Sequence, residues 1–416
     1  MAVISLIVLV IVVAIGFIKK VNIGFLSIGA AVLLGMAGGM SSKEIVAGFD
    51  TSLFVTLVGV TFLFGMASIN GTLELISKKI IALVGRRTFL IPILMFFLSA
   101  GISALGPGHI AAGILMTTFA VYLALEMKIN PFATALYAKL GANAGCASPL
   151  SLTGVLAKGL SEPLGYSGFG VHLFATTLIS GFVFTLVVYV IYKGYKVTAD
   201  NPMKLSELPK FDKKQLFTIL VMAMLVILCI GFQMDVGTLA FVGAAILVLT
   251  GCVDEKKGIK NIPWGTLLMI TGVGVLVNVM DTLGGISLIS DFLMSVMTKA
   301  TAVPIMAATS GILSWVSSTT GVVMPTLYPV AAEIASNIGA NYVELISAIT
   351  ATSFAAAISP LSTGGAIILS SYSAAKELEI DEQNRLFKTL FLLSVANVAI
   401  NVVMAALGVF SLYGIV

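Results

Sequence analysis

The tetrapeptide Ser-Pro-Leu-Ser occurs twice in this chain, as Ser148-Pro149-Leu150-Ser151 and as Ser359-Pro360-Leu361-Ser362, 211 positions apart. Each copy interrupts an apolar stretch of the length that crosses hydrocarbon, about 20 residues. Proline removes a backbone donor and opposes continuation of a helix, while the neighbouring Gly154, Gly364 and Gly365 admit conformations closed to other residues. Backbone groups freed in this way survive at membrane depth only when buried in protein or lining a wet cavity. The same offset carries Ser103 onto Ser314 and Gly106-Pro107-Gly108-His109 onto Ser317-Ser318-Thr319-Thr320. Paired interruptions at corresponding positions of two halves are where a membrane protein presents backbone to a solute.

Hydrophobic residues make up 58% of the 416 positions and charged residues 10%, against roughly 25% charged in soluble domains. A soluble core cannot absorb such a chain, so lipid is its principal partner. The first segment, Val3 to Phe17, has no basic residue before it and no small-residue cleavage site after it, which predicts a retained span. Cys146, Cys229 and Cys252 form no metal-ligand spacing. The net charge of +4 is spread along the chain and points to no nucleic-acid partner. With no HExxH, no GxSxG, two histidines and no base paired with the serines of the breaks, an enzyme is not expected.

Hydropathy predicts spans at about 3–18, 22–39, 51–69, 131–157 and 171–193, and again at 214–232, 236–252, 264–281, 342–372 and 387–414. Two further apolar stretches, 88–125 and 302–337, are interrupted at Gly106-Pro107-Gly108 and at Ser317 to Thr320. If both are re-entrant hairpins, nearly all of the 23 Lys and Arg fall on one side, with Lys43, Lys158 and Lys299 opposite and Lys139 within a span. That bias supports an all-α polytopic membrane protein of two inverted repeats, each of five transmembrane helices and one hairpin, with one broken helix per repeat. Residues 1–193 form the first repeat, 194–213 a cytoplasmic linker and 214–416 the second, with both termini outside a plasma or inner membrane. Basic and apolar residues alternate at helical spacing from Leu73 to Arg87, predicting an interfacial helix with a counterpart near Ile286 to Lys299.

Carbonyl ends of the half-helices and the hydroxyls of Ser148, Ser151, Ser317, Ser359 and Ser362, with the backbone at Gly364, suit a small cation such as sodium. Amino ends of half-helices suit an anion. The candidate anion contacts are Gly106, Pro107, Gly108, His109, Asn143, Ser151, Thr153, Ser317, Ser318, Thr319, Thr320, Ser362 and Thr363. No arginine lies near either break. A helix terminus contributes about 0.3–1 kcal/mol, or about 2 when partly buried, whereas a charge at mid-membrane costs at least about 2.5–3.5 kcal/mol. A dianion therefore calls for a co-bound cation, and Lys139 is a candidate charge-balancing residue. Lys139 snorkelling to the interface and His109 titrating in a proton-coupled cycle are open alternatives.

The two Ser-Pro-Leu-Ser breaks and the run Ser317-Ser318-Thr319-Thr320-Gly321-Val322-Val323-Met324-Pro325 resemble the malonate and dicarboxylate carriers of the MatC type. These stand within the ion transporter superfamily that includes the divalent anion/sodium symporters. The resemblance implies scaffold and transport domains, each drawn from both repeats, a homodimer, and elevator-type secondary transport of a di- or tricarboxylate with sodium and without an organic cofactor. The better-known symporters carry Ser-Asn-Thr at both hairpin tips. Here the tips are Ser317-Ser318-Thr319 and Gly106-Pro107-Gly108, a departure that bears on the carboxylate contacts and the number of sodium ions. The other classes to weigh are a proton-coupled carrier, an exporter of another small anion, and an ion channel.

Overall fold

Helix boundaries follow caps and breakers that recur at the sequence offset. In this computed structural model all residues are described except 20, 83–86, 198–204, 233, 235, 263, 376–379 and 412–416. Lys20, Arg86 and the linker residues Asp200, Asn201, Pro202 and Lys204 therefore lie outside the described residues.

In the first half the α-helices are α1 Ala2–Lys19, α2 Ile23–Ala37, α3 Ser42–Val46, α4 Thr51–Ile69 and α5 Thr72–Ala82, then α6 Ile91–Ala104, α7 Gly108–Glu126, α8 Pro131–Gly145, α9 Leu152–Ser161 and α10 Gly170–Ile191. The second half runs α11 Lys213–Phe232, α12 Val236–Leu249, α13 Glu255–Asn261, α14 Trp264–Thr282 and α15 Gly285–Ser295, then α16 Ala302–Val316, α17 Met324–Ile338, α18 Tyr342–Ala356, α19 Thr363–Ala375 and α20 Ile380–Ala406. No strand occurs among the described residues.

Asn130 caps α8 by accepting from the Ala133 N–H, and Asn341 caps α18 by accepting from those of Val343 and Glu344. These two helices are buried along almost their whole length, as helices apolar on every face must be. Around α8 lie α6, α7 and α10; around α18 lie α16, α17 and α20. The second pieces of the breaks cross over: α19 packs on α7, and α9 on α17. The outer helices cross over as well, α2 on α14 and α4 on α12.

Three described segments, Gly108–Leu125, Gly170–Ile191 and Arg385–Ala406, are individually long and apolar enough to span a bilayer. Two bent pairs could each make one more: the chain turns 62° between α4 and α5, and 76° between α14 and α15. Those bends, rather than straight extension of the preceding span, carry the two amphipathic segments of the sequence. On α5, Leu73, Leu75 and Ile81 are buried, while Lys78 pairs with Glu74 at 2.6 Å. Ile23–Ala37, Thr88–Ala104, Gly237–Leu249, Ala302–Trp315 and Tyr342–Ala356 are shorter apolar helices of 10–17 residues, whereas α11 runs for 20 residues.

Candidate functional site

Helices α6 and α16 are each latched to a central helix by the same bond. Ser103 Oγ donates to the Ala142 carbonyl at 2.7 Å, and Ser314 Oγ to that of Ser353 at 2.9 Å. The breaks match as well. Ser148 Oγ accepts from the Leu150 N–H and Ser359 Oγ from that of Leu361, both at 3.3 Å. The Ser148 and Ser359 carbonyls accept from the N–H groups of Ser151 and Ser362, both at 2.9 Å.

The first tip turns at Gly106, whose φ of +141° and whose absent Cβ, which would lie 2.0 Å from the Phe64 ring, admit glycine alone. Pro107, Gly108 and His109 follow and line a cavity of about 320 Å³ with Thr61, Phe64 and Ser68 of α4, Leu152 of α9 and Asn261 of α13. His109 sets its ring edge against Phe354, centroids 4.8 Å apart, and its Nδ1 is buried without a hydrogen-bond partner. Ser151 Oγ is buried and unpartnered too, and it faces Gly108, 3.9 Å from where a Cβ would sit. Thr153 is buried in the first turn of α9.

Lys139 does not snorkel. It is 1% exposed, and its Nζ donates to the His109 carbonyl at 2.8 Å. Gly113 and Gly364 give it room: a Cβ on either would stand 2.8 Å from its Nζ or 2.9 Å from its Cε. The described ion pairs, Lys78–Glu74 and Lys158–Glu162, do not involve it. Lys139 Nζ thus sits between the first turns of α7 and α19, the positive ends of two helices, with no carboxylate paired to it among the described residues. Asn143, one turn along α8, donates through Nδ2 to the Phe354 carbonyl at 3.1 Å, and its Oδ1 has no partner.

The second tip is organised differently. Ser317 Oγ donates to the Leu313 carbonyl at 2.6 Å, Ser318 Oγ accepts from the Gly321 N–H at 3.1 Å, and Thr319 Oγ1 lies 2.9 Å from Ser314 Oγ. A π-helical turn, Thr319–Val323, with buried Thr320 leads into α17. Ser317 lines a second cavity of about 320 Å³ against Leu9, Val10 and Val13 of α1, apart from the one under the first tip. At the second break Ser362 Oγ turns inward, 2.6 Å from the Ala357 carbonyl and 2.7 Å from that of Ser359. Thr363 is exposed and Gly364 buried.

The first tip, Lys139, Asn143 and both breaks therefore meet around α8, while the second tip sits on α18. Among the described residues no group of three His, Cys, Asp or Glu could hold a metal, so a cation here would rest on hydroxyl and carbonyl oxygens. Sequence reasoning missed Thr61, Ser68 and Asn261, whose proximity depends on α4 and α13 folding over the first tip. It also missed Asn397, which donates to the Ala355 carbonyl, and Asn401, which accepts from Ser180. Two asparagines four residues apart in an apolar span were the available signal.

Residues 1–146 match the family model described as "Dicarboxylate carrier protein MatC N-terminus", which bears out the resemblance carried by the sequence motifs. A relative in Bacillus subtilis (strain 168), described as "Putative malate transporter YflS", is 27% identical over 315 residues, 68% of this chain; the match spans 64% of that relative's length. The fold is similar to that in "Crystal structure of the Alcanivorax borkumensis YdaH transporter reveals an unusual topology", with TM-score 0.59, 12% identity and coverage of 89% of this chain and 88% of that one. These names are those of transporters, not of an enzyme, and the chain is a helical membrane protein.

Proposed function

We propose that the protein is a secondary active transporter of a small organic anion, a di- or tricarboxylate of the malonate or C4-dicarboxylate kind, coupled to sodium and working by elevator-type alternating access. One observation carries the reading: Lys139, buried and without a carboxylate partner among the described residues, donates to the carbonyl of His109, which lines the cavity of about 320 Å³ under the first tip. Protein interiors do not hold such charge without compensation, and a carboxylate would supply it. The family match and the malate description of the relative favour the same substrate class.

In this reading the halves are inverted repeats joined by the 194–213 linker, α6–α7 and α16–α17 are the re-entrant hairpins, and the chain works as a homodimer in a plasma or inner membrane with both termini outside. The first tip, Asn143 and Ser151 contact the anion, and the Ser317 to Thr320 tip closes over it from the second half. Sodium is the coupling ion because, His109 Nδ1 apart, the buried unpartnered groups are neutral oxygens rather than acids. The unpartnered Nδ1 of His109 favours a second reading, coupling to protons. Uptake of radiolabelled malate and malonate by proteoliposomes, under a sodium gradient or a pH gradient alone, separates the two. Sodium-driven uptake is expected; accumulation under the pH gradient only would select the proton cycle, and ion flux at channel rates would remove both.

A further inference from the structure

Helix α1 packs on α2, α14 and α15, and where it faces the second tip it leaves the slot of about 320 Å³ that Ser317 lines. Val10, Val13 and Ile18 belong to one wall, and Leu313, Val322 and Val323 to the other. Val10, Ile18 and Leu313 are 59%, 73% and 38% exposed, so the slot opens on the outer surface of the helices rather than into the protein.

What fills it is set by the solvent at that depth. Lys19 ends α1, and the stretch from Ile18 back to Leu9 lies within about 15 Å of it by helical rise, half the hydrocarbon core. Asn22 Nδ2 donates to the Gly265 carbonyl at 2.7 Å, which brings the exposed Trp264 to the same level, and tryptophan is enriched at the membrane–water interface. The slot therefore lies within the leaflet on the Lys19 side.

Water does not suit it. Of the two hydroxyls in the wall, that of Ser317 is spent on the Leu313 carbonyl and Thr326 Oγ1 is buried without a partner, whereas an ordered water takes about two to four polar neighbours. An empty slot would forfeit dispersion contacts along its lining, and a hydrocarbon chain from the surrounding bilayer supplies them. The mouth carries a charge as well. Lys19 follows Ile18, is exposed, and takes part in neither described ion pair. An ammonium at headgroup level, on the rim of an apolar slot, matches a phosphate that has no cation of its own.

We infer that the protein holds an anionic phospholipid between α1 and the second tip, with one acyl chain in the slot and the phosphate against Lys19. The site depends on neither the substrate nor the coupling ion of the proposed function. Its acyl chain lies against Ser317 and Val322, on either side of the second tip.

The test places the full-length protein in nanodiscs of phosphatidylcholine containing phosphatidylglycerol with a photoactivatable diazirine in one acyl chain, and maps the adducts by mass spectrometry. Adducts at Leu313 and Val322 are expected to saturate as the probe is raised, while those at the exposed Val190 and Ile191 of α10 grow in proportion to it. Val13→Trp fills the slot and should abolish labelling of Leu313 without changing that of α10. Lys19→Gln alters an exposed side chain, so it tests the occupant in a folded protein whatever Val13→Trp does to stability. It should lower slot labelling roughly fivefold at low ionic strength, and a phosphatidylcholine probe should label the slot of the parent just as weakly. Leu313 labelling that tracks α10 or survives Val13→Trp would overturn the site. Equal labelling by the two probes, or no effect of Lys19→Gln, would overturn the anionic occupant.

Discussion

Lys139 concentrates the electrostatics of the site at one residue. Hydrogen bonds to charged groups are worth about 1.5–3 kcal/mol, so removing the ammonium should cost a bound carboxylate roughly ten- to a hundredfold in affinity. Lys139→Gln proteoliposomes are expected to show that loss as a raised KM for malate. Lys139→Arg should fare little better, because the slot between Gly113 and Gly364 leaves no room for a planar guanidinium. Gly113→Ala should act likewise, its new Cβ falling 2.8 Å from Nζ. Unchanged KM in all three variants would exclude a role for this charge in binding. The lysine was legible in the sequence, since an ionisable residue inside an apolar span stands out. Its reach to Gly364 was not, because the contact joins the first half of the chain to the second.

At the scale of elements the sequence was most informative where backbone chemistry is local. The Ser-Pro steps locate the ends of α8 and α18, and Asn130 and Asn341 lie 211 positions apart as their caps. If the matching caps do matching work, Asn130→Ala and Asn341→Ala should each lower stability by about 1 kcal/mol. Calibrated thermal unfolding in detergent measures this, and a difference above about 1 kcal/mol between them would show that the halves do not share the load. The sequence pattern separated α4 from α5 and α14 from α15 but gave neither bend angle, since composition does not register direction. It also could not separate α7 as a hairpin arm from α7 as a full span, because Gly108–Leu125 has the length and apolarity for either.

For the whole molecule, the decisive packing is the exchange between halves. One apolar core joins α1, α2 and α9 to α14, α17 and α18, and another joins α6, α7 and α8 to α11, α12 and α19. Each half packs the segment after its Ser-Pro-Leu-Ser turn against the other half, α9 on α17 and α19 on α7. The inverted arrangement behind the proposed alternating access has a direct consequence for sidedness. Lys158, at the end of α9, and Lys256, in α13, are both exposed, and the positive-inside bias assigns them to opposite sides. In intact cells a membrane-impermeant maleimide should label Lys158→Cys from outside and Lys256→Cys only after permeabilisation. Cys146 and Cys252 are buried and should stay silent, while the unsubstituted chain controls for Cys229. Labelling of both variants from outside would place α9 and α13 on one face and dismantle the ten-span, two-hairpin topology, whereas the reversed pattern would keep the topology and turn the molecule over in the membrane.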